Sequence, residues 1–260
     1  MQVAQPFPAT TAYRPPVAIR PGFVGHLLVV LAGLALGASF VLSGEPLLSL
    51  FVAGPIVVLP VVAAAVATRF RHKGHIAGIA VGLAAIAVPG PAVTEMFDHP
   101  DSFFDFVPVL CAVAGGLLMA GTSIASLSRH TIPSGYAGAL SAAILCVVLV
   151  GGTASGIATF ANREHVSAAD RVGATEFRMK GVDFETEALT VKAGQPLKFV
   201  VENDDPIVHT FTAKELGVDV TLKAGSGKLV EFTPTVPGTY EIICKISGHE
   251  GSMKTILTVE

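Results

Sequence analysis

Residues 238–253 read GTYEIICKISGHEGSM, and this stretch decides how the C-terminal part of the chain is interpreted. Its first seven residues nearly alternate polar and apolar side chains up to Cys244, which is typical of a strand with one buried face. Cys244, His249 and Met253 then follow at C-x4-H-x3-M spacing. Soft sulfur and borderline imidazole together suit a copper ion that alternates between Cu(I) and Cu(II). The stretch therefore predicts three ligands of one copper site.

The second imidazole of such a site must come from elsewhere in the sheet, because a trigonal copper site needs two His and one Cys, with a distant axial Met. His209 in ENDDPIVHTFT, 35 residues before Cys244, is the candidate. Strand alternation places both sulfurs on core-facing sides, with Tyr240, Ile242 and Cys244 sharing one face and Met253, Leu257 and Val259 sharing another. A short loop between the two strands would bring His249 to the end of the domain.

The sequence around this site has a period of two from Thr175 onward. The segments LTVKAG, PLKFVVEN, KLVEFTPT, GTYEIICK and MKTILTVE are separated by Gly, Pro, Asn and Asp at spacings typical of a β-sandwich. We therefore expect an all-β domain over residues 175–260, preceded by a linker at 161–174. The aromatic residues that can supply its core are Phe184, Phe199, Phe211, Phe232 and Tyr240.

Residues 175–260 resemble the cupredoxin family, the plastocyanin- and azurin-like blue copper proteins, in EALTVKAG, PLKFVVEN, DDPIVHTF and GTYEIICKISGHEGSM. The resemblance implies a Greek-key β-sandwich with one type 1 copper ion per chain and one-electron transfer. It implies His209, Cys244 and His249 as equatorial ligands and Met253 as the axial ligand. Thr210 departs from the family, because plastocyanins and azurins usually have Asn after the first ligand. The hydrogen bonding near the Cys sulfur is therefore expected to differ.

The N-terminal part of the chain has the composition of a membrane protein. Apolar types make up 51% of the whole chain, charged types 14%, and mean hydropathy is +0.64. Five segments without Lys, Arg, Asp or Glu are each long enough to cross a hydrocarbon core, which takes about 20 helical residues. They are residues 23–42, 47–68, 76–94, 106–127 and 137–160. We expect a five-span α-helical bundle over residues 23–160, with the third span interrupted near its end by Pro89 and Pro91.

The charges outside these spans indicate the orientation. In a five-span arrangement all six basic residues before residue 161 fall on one side of the membrane: Arg14, Arg20, Arg69, Arg71, Lys73 and Arg129. The acidic residues Glu45, Glu95, Asp98, Asp101 and Asp105 fall on the other. The positive-inside rule then predicts a multi-pass protein of the cell membrane. Its tail at residues 1–22 would be cytoplasmic and its C-terminal domain extracytoplasmic.

Several classes of function are disfavoured by composition. A net charge of −3 without a basic run argues against a nucleic-acid partner. One Cys in the ligand loop and a single copper domain argue against a dinuclear centre or a multicopper enzyme, so no small-molecule substrate is expected. Cys111 and Cys146 lie in apolar runs, which leaves no disulfide framework. Glycine pairs such as Gly74-x3-Gly78-x3-Gly82 could let membrane helices approach closely.

Three functions stay open from the sequence. The leading hypothesis is a non-enzymatic carrier that passes single electrons between a redox donor and a redox acceptor, with the lipid bilayer as its anchor. The second is delivery, buffering or sensing of copper through the same His209, Cys244, His249 and Met253 site. The third is a metal-free interaction module displayed on a membrane scaffold. Visible absorption distinguishes the first two, and loss of the ligands without any consequence would favour the third.

Overall fold

The computed structural model describes residues 20–90, 92–128, 133–186, 188–249 and 251–260. The predicted cytoplasmic tail at residues 1–22 therefore lies almost wholly outside the described residues. The remainder comprises a helical N-terminal region and a C-terminal β domain, in the order that the sequence predicts.

The first described helix begins at Pro21. Proline suits the first helical turn, because a backbone amide there would have no hydrogen-bond partner within the helix. Its elements are α1 (Pro21–Leu42), α2 (Pro46–Leu48), a π-helical turn (Ser49–Ala53), α3 (Gly54–Arg69), α4 (Arg71–Ala87), α5 (Ala92–Asp98), α6 (Phe103–Leu127) and α7 (Ser134–Ala161). Helix α6 packs against α1, α4, α5 and α7, so it forms the centre of the bundle.

Within the part of the chain that the structure describes, four helical segments are long and apolar enough to cross a membrane: Pro21–Leu42, Ser49–Arg69, Phe103–Leu127 and Gly135–Ala161. They correspond to four of the five predicted spans. The third prediction, residues 76–94, differs from the structure, because α4 begins earlier and ends at Ala87 after 17 residues. A turn that includes Pro89 follows, since proline has no amide to continue the helical hydrogen bonding.

Close helix packing depends on glycine at two crossings. A methyl group on Gly82 of α4 would lie 2.7 Å from the carbonyl oxygen of Gly116 in α6, and one on Gly115 would lie 2.8 Å from the carbonyl oxygen of Gly25 in α1. Such distances leave no room for a side chain. Gly82 of the α4 glycine repeat therefore lets α4 approach α6 closely. Helix α6 contributes Gly116 to that crossing and Gly115 to its crossing with α1.

The linker at residues 161–174 contains one short helix, α8 (Ala168–Arg171), and the β domain follows it. The strands are β1 (Thr175–Met179), β2 (Leu189–Val191), β3 (Leu197–Asn203), β4 (His209–Ala213), β5 (Val218–Leu222), β6 (Gly227–Phe232), β7 (Gly238–Ile243) and β8 (Lys254–Val259). They form a three-stranded sheet in the order β1-β3-β6 and a five-stranded sheet in the order β2-β8-β7-β4-β5. The β1–β3 and β2–β8 pairs are parallel, and the other pairs are antiparallel.

The core between the two sheets is aromatic. Phe184, Phe199 and Phe211 are buried as predicted, while Phe232 and Tyr240 are partly buried at its margin. The prediction missed Phe177 of β1, which is fully buried and meets Phe211 edge to face, with ring centroids 4.9 Å apart. Edge-to-face contact suits the quadrupoles of the two rings and fixes how the two sheets face each other.

The β domain contacts one end of the helical bundle. The amide of Val208, next to His209, donates to Asp105 Oδ2 in the first turn of α6 at 2.9 Å. Lys223 Nζ lies 2.6 Å from Asp101 Oδ2, just before the same helix. Gly181 of the β domain lies beside Ser43 and Glu45, just after the end of α1. The strand that begins with His209 is thereby attached to the helical region.

Candidate metal centre

The four predicted ligands come from separate elements that meet at one end of the β domain. His209 begins β4, Cys244 follows β7, and Met253 precedes β8. The Cys244 amide donates to the Met253 carbonyl at 3.0 Å, which extends the β7–β8 ladder by one pair. The two ends of the ligand loop, residues 245–252, therefore lie side by side.

The ligand loop folds back on itself and carries His249. The His249 amide donates to the Ile246 carbonyl at 2.9 Å, and the Met253 amide donates to the His249 carbonyl at 2.9 Å. Gly248 has φ of +91°, a conformation that only glycine adopts readily, so the turn before His249 requires it. The loop geometry thus directs the imidazole toward Cys244.

The thiol and the two imidazoles converge. Cys244 Sγ lies 3.9 Å from His209 Nδ1 and 3.7 Å from His249 Nδ1, and the three candidate ligand atoms all lie within 4.8 Å of one another. His209, Cys244 and Met253 are fully buried at 0% exposure, whereas His249 is half-buried. Met253 belongs to the same buried cluster as Cys244, as the strand alternation predicts.

Asp205 holds the His209 ring from behind, and the sequence analysis assigned it no role. Its Oδ2 lies 2.8 Å from His209 Nε2, and both side chains are 0% exposed. The carboxylate also accepts the amides of Gly181 and Val182, each at 2.9 Å. With Nε2 bonded to Asp205, Nδ1 is the ring nitrogen that faces the sulfur. The only sequence signal was a carboxylate four residues before a candidate ligand.

The Asp205–His209 contact shifts both pKa values in the direction of an ion pair. Burial by itself raises the pKa of the Asp205 carboxyl, but the hydrogen bonds from His209 and the two amides lower it below its usual value. Burial lowers the pKa of His209, and the contacts with Asp205 and Cys244 outweigh that effect and raise it. The carboxylate therefore orients the ring and increases its basicity, as outer carboxylates do for metal-binding histidines.

The Cys244 thiol is prepared for metal binding. Burial raises its pKa, but hydrogen bonds from the His209 and His249 rings and from the Thr210 and Ile246 amides lower it to about 6. Since the thiolate is the form that binds metals, this environment provides the ligand at neutral pH. The other cysteines, Cys111 and Cys146, are free thiols in the helices, which agrees with the expected absence of a disulfide framework.

Thr210 stands where the family usually has Asn, and it forms a different set of hydrogen bonds. Its amide donates to Cys244 Sγ at 3.4 Å, and its hydroxyl oxygen accepts the Lys245 amide at 2.9 Å. The Thr212 hydroxyl lies 3.1 Å from the same oxygen. The β4 strand and the residue after Cys244 are therefore still linked, so the departure at Thr210 changes the groups involved and preserves the support of the sulfur.

The donor set fits copper. A thiolate with two imidazole nitrogens and a nearby thioether is the combination that type 1 copper sites use, whereas hard cations prefer oxygen. His209, Cys244, His249 and Met253 together therefore form a site suited to copper. The pocket is fixed from both sides, by Asp205 just before β4 and Thr210 on β4, and by the turn of the ligand loop.

Comparison with known proteins agrees with this geometry. Residues 148–259 match the cupredoxin-like domain family, so this C-terminal part is a cupredoxin-like domain, as the sequence predicted. The match covers less than half of the chain. A search of curated proteins found no significant match to the chain.

The solved structures that are similar to part of the chain include two auracyanins and an amicyanin mutant. Auracyanin A, a "blue" copper protein from the green thermophilic photosynthetic bacterium Chloroflexus aurantiacus, is 21% identical over 34% of this chain and 98% of its own, with a TM-score of 0.29. Auracyanin B is 22% identical over 34% and 88%, with a TM-score of 0.29. A mutant of amicyanin is 24% identical over 38% and 92%, with a TM-score of 0.29.

Proposed function

We propose that this chain is a multi-pass membrane protein whose extracytoplasmic domain binds one type 1 copper ion and carries single electrons. Cys244, His209 and His249 would be the equatorial ligands and Met253 the axial one. The bound copper supplies the one-electron couple between Cu(II) and Cu(I). The protein residues hold the geometry, exclude water and keep the sulfur deprotonated.

The observation that carries this proposal is the convergence of one thiol and two imidazoles within 4.8 Å in a buried pocket. A pocket that already has this arrangement requires little movement between the two oxidation states of copper, which favours rapid electron transfer. The weak axial thioether and the hydrogen bond to the sulfur are the features that adjust the potential of such a site.

Burial favours electron transfer over copper handling. Delivery or buffering requires the ion to enter and leave, yet three of the four candidate ligands are fully buried. Only His249, on the ligand loop, has a partly exposed edge. An electron can pass through that edge while the ion stays in place. A tightly held ion and one accessible imidazole together fit a carrier.

The contacts between the two halves support a fifth crossing and the proposed orientation. The end of α1, the start of α6 and the end of α7 all lie at the β domain, through Glu45 beside Gly181, Asp101 with Lys223, and Asn162 near Asp101. Helix α3 leads away from that side, so α4 must return to it. At about 1.5 Å per residue, the 17 residues of α4 span about 26 Å, close to a hydrocarbon thickness of about 30 Å.

Visible absorption of the full chain in detergent tests the copper site. We expect added Cu(II) to produce an intense visible band that ascorbate bleaches. Cys244→Ser should abolish the band, and Cys146→Ser, at an exposed cysteine of α7, should leave it unchanged. A colourless chain that binds Cu(I) tightly and exchanges it readily would instead indicate copper handling. A chain that binds no copper would leave a metal-free interaction module.

The orientation has its own test. A protease added outside intact cells, or to right-side-out vesicles, should cleave a site introduced after Glu260. A site introduced before Arg20 should be cleaved only after the membrane is permeabilised. The reverse pattern would place the β domain in the cytosol and would contradict the proposal.

A further inference from the structure

A cavity of about 1070 Å³ lies between the β domain and the helical bundle. Its wall is formed by α1, α3, α4, α6 and the π-helical turn, together with the ligand loop of the β domain. This volume is slightly above the 300–1,000 Å³ typical of sites for small molecules. His249 and its neighbours Ser247 and Gly248 are part of the wall. The accessible edge of the candidate metal centre therefore faces the helical bundle.

Irregular helix geometry accompanies this cavity. The π-helical turn contributes Phe51 and Val52 to the wall, and Pro60 of α3 and Pro108 of α6 interrupt the regular hydrogen bonding of their helices at the same place. Such π-helical segments occur frequently at functional sites. All three irregularities therefore lie on the wall of the cavity.

The wall is polar at one end only. The part of the wall between the helices is apolar and includes Leu36, Ile56, Leu59, Ala84 and Ala112. The charged and hydrogen-bonding side chains near the β domain include Glu45, Asp105, Asp183, Ser252 and His249. A ligand that matches this wall has an apolar tail and a compact head group that forms hydrogen bonds.

The sign of the charges restricts the head group. Glu45 and Asp183 provide two carboxyl groups at the polar end, so the phosphate of a phospholipid or the carboxylate of a fatty acid would meet like charge there. A neutral head that donates O–H hydrogen bonds to carboxylate oxygens is favoured instead. The position beside His249 further favours a head group that is redox-active.

We infer that this cavity binds a membrane quinol, with its hydroquinone head at the His249 end and its apolar tail between α1, α3, α4 and α6. The inference rests on the proposed function in one respect, because it makes the lipid-soluble quinol the electron donor to the same site. One quinol would reduce two Cu(II) in succession, with the copper reoxidised by its acceptor between the two steps, and would leave as the quinone after releasing two protons to water. Binding itself requires only the helices, the carboxylates and the ligand loop, so it can be measured without copper.

Photolabelling of the copper-free full chain in nanodiscs tests this inference. The probe is a short-tailed azidoquinone, with decylubiquinol as competitor under anaerobic conditions. We expect saturable labelling of cavity residues at one label per chain, with at least a tenfold loss of apparent affinity in Ala84→Phe. Ala143→Phe, at an exposed alanine of α7 outside the cavity, is the matched control and should label normally. Labelling that is unsaturable, or equal in both variants, would overturn the inference.

A second variant tests the charge argument and does not depend on filling the cavity. Glu45→Lys should weaken decylubiquinol competition at least tenfold and strengthen competition by oleate, whereas Asp98→Lys, at an exposed acid outside the cavity, should change neither. Displacement of the probe by oleate or phosphatidylglycerol as effectively as by decylubiquinol in the unmodified chain would show a lipid site and contradict the inference. Cys244→Ser should bind the quinol normally, so loss of the copper site and loss of quinol binding are separate results.

Discussion

The metal centre has two sides that differ in how they are held. The strand side, formed by Asp205, His209 and Thr210, is buried and linked by hydrogen bonds to its neighbours. The loop side, residues 245–252 with His249, is partly exposed and borders the cavity above the helices. Cys244 lies between them. One side keeps the metal in position, and the other gives it access to a partner.

This difference shows how one small site can meet two opposing requirements. A buried carboxylate–imidazole pair is expensive to disturb, because either member left alone is an unpaired buried charge or polar group. The His249 imidazole is held mainly by the turn of the ligand loop, so its removal should cost less stability. Rigidity is therefore concentrated on β4, where it does not obstruct the route for the electron.

Replacing each histidine by glycine should show the largest contrast. We expect His209→Gly to lose the visible band and to destabilise the β domain by about 3–5 kcal/mol, the cost of breaking a buried pair. His249→Gly should stay folded and regain colour when imidazole is added, because its ring lies at the accessible edge. Absorbance during an imidazole titration and urea unfolding followed by circular dichroism measure the two effects. Equal rescue of both variants would remove the distinction between the sides.

The pH dependence of Cys244 probes both sides at once. Since its folded pKa is lowered to about 6, the thiolate contributes stability above the unfolded pKa of about 8.5, and this contribution is lost as the pH falls through about 6. Ultraviolet thiolate absorbance of the copper-free chain, with the Cys244→Ser spectrum subtracted, should titrate near pH 6. His209→Gly should move the midpoint upward more than His249→Gly does. A midpoint near 8.5 in the unmodified chain would contradict the described hydrogen bonds.

Asp205→Asn should weaken the strand side without removing a ligand. The substitution keeps the shape of the side chain but removes its charge, and a hydrogen bond to a charged group contributes about 1.5–3 kcal/mol. We expect a loss of stability of that size and a copper affinity about 10–100-fold lower. Asp204→Asn, at the exposed neighbouring aspartate, is the control. The measurements are urea unfolding and competition for copper against a chelator of known affinity.

Thr210→Val tests whether the Thr210 hydroxyl helps to hold the Cys244 sulfur in position. Valine has nearly the same shape but leaves the Lys245 amide without its acceptor, which should cost about 1–3 kcal/mol. The visible band should shift while copper stays bound. Thr190→Val, at an exposed position of β2, should affect neither stability nor colour. An unchanged spectrum in Thr210→Val would limit its role to the backbone amide.

The smallest effect is expected at the contact between the two halves. Lys223 and Asp101 are both partly exposed, so Lys223→Met should cost only about 0–1 kcal/mol. Burial by itself raises the pKa of the Asp101 carboxyl, but the contacts with Lys223 lower that pKa below its usual value. The ion pair between Lys223 and Asp101 should therefore weaken as the pH falls through the lowered pKa. Thermal unfolding at low and high salt measures the difference. A large loss would mean that this ion pair is a principal attachment of the β domain.

Much of the β domain could be predicted from the sequence. Alternation identified five of the strands and the faces of Cys244 and Met253, and the C-x4-H-x3-M spacing identified the ligand loop. None of the five predicted segments contains β1, β4 or β5. All five residues of β4 are buried, so no exposed polar face marks that strand, whereas the VDVTL residues of β5 do alternate and were overlooked.

The membrane half was predicted less completely. Absence of charge marks apolar spans well, but it does not show where a helix ends inside an apolar segment. Helix α4 is an example, because it ends at Ala87 although the uncharged segment continues to Thr94. Hydropathy contains no information about the π-helical turn or about the cavity, since both depend on how neighbouring helices pack.

The sequence by itself determined the order of the two halves, the β-sandwich character of residues 175–260, and the residues able to bind copper. Those features depend on local periodicity and on residues close together in the chain. Only the tertiary structure decided that Asp205 holds His209, that the Thr210 hydroxyl accepts the Lys245 amide, and that Asp105 binds the Val208 amide across 103 positions. The last two contacts join residues far apart in the chain and leave no spacing pattern, because the partners meet only once helices and sheets have packed together. Asp205 is only four residues from His209, but that spacing alone does not show that the two side chains meet.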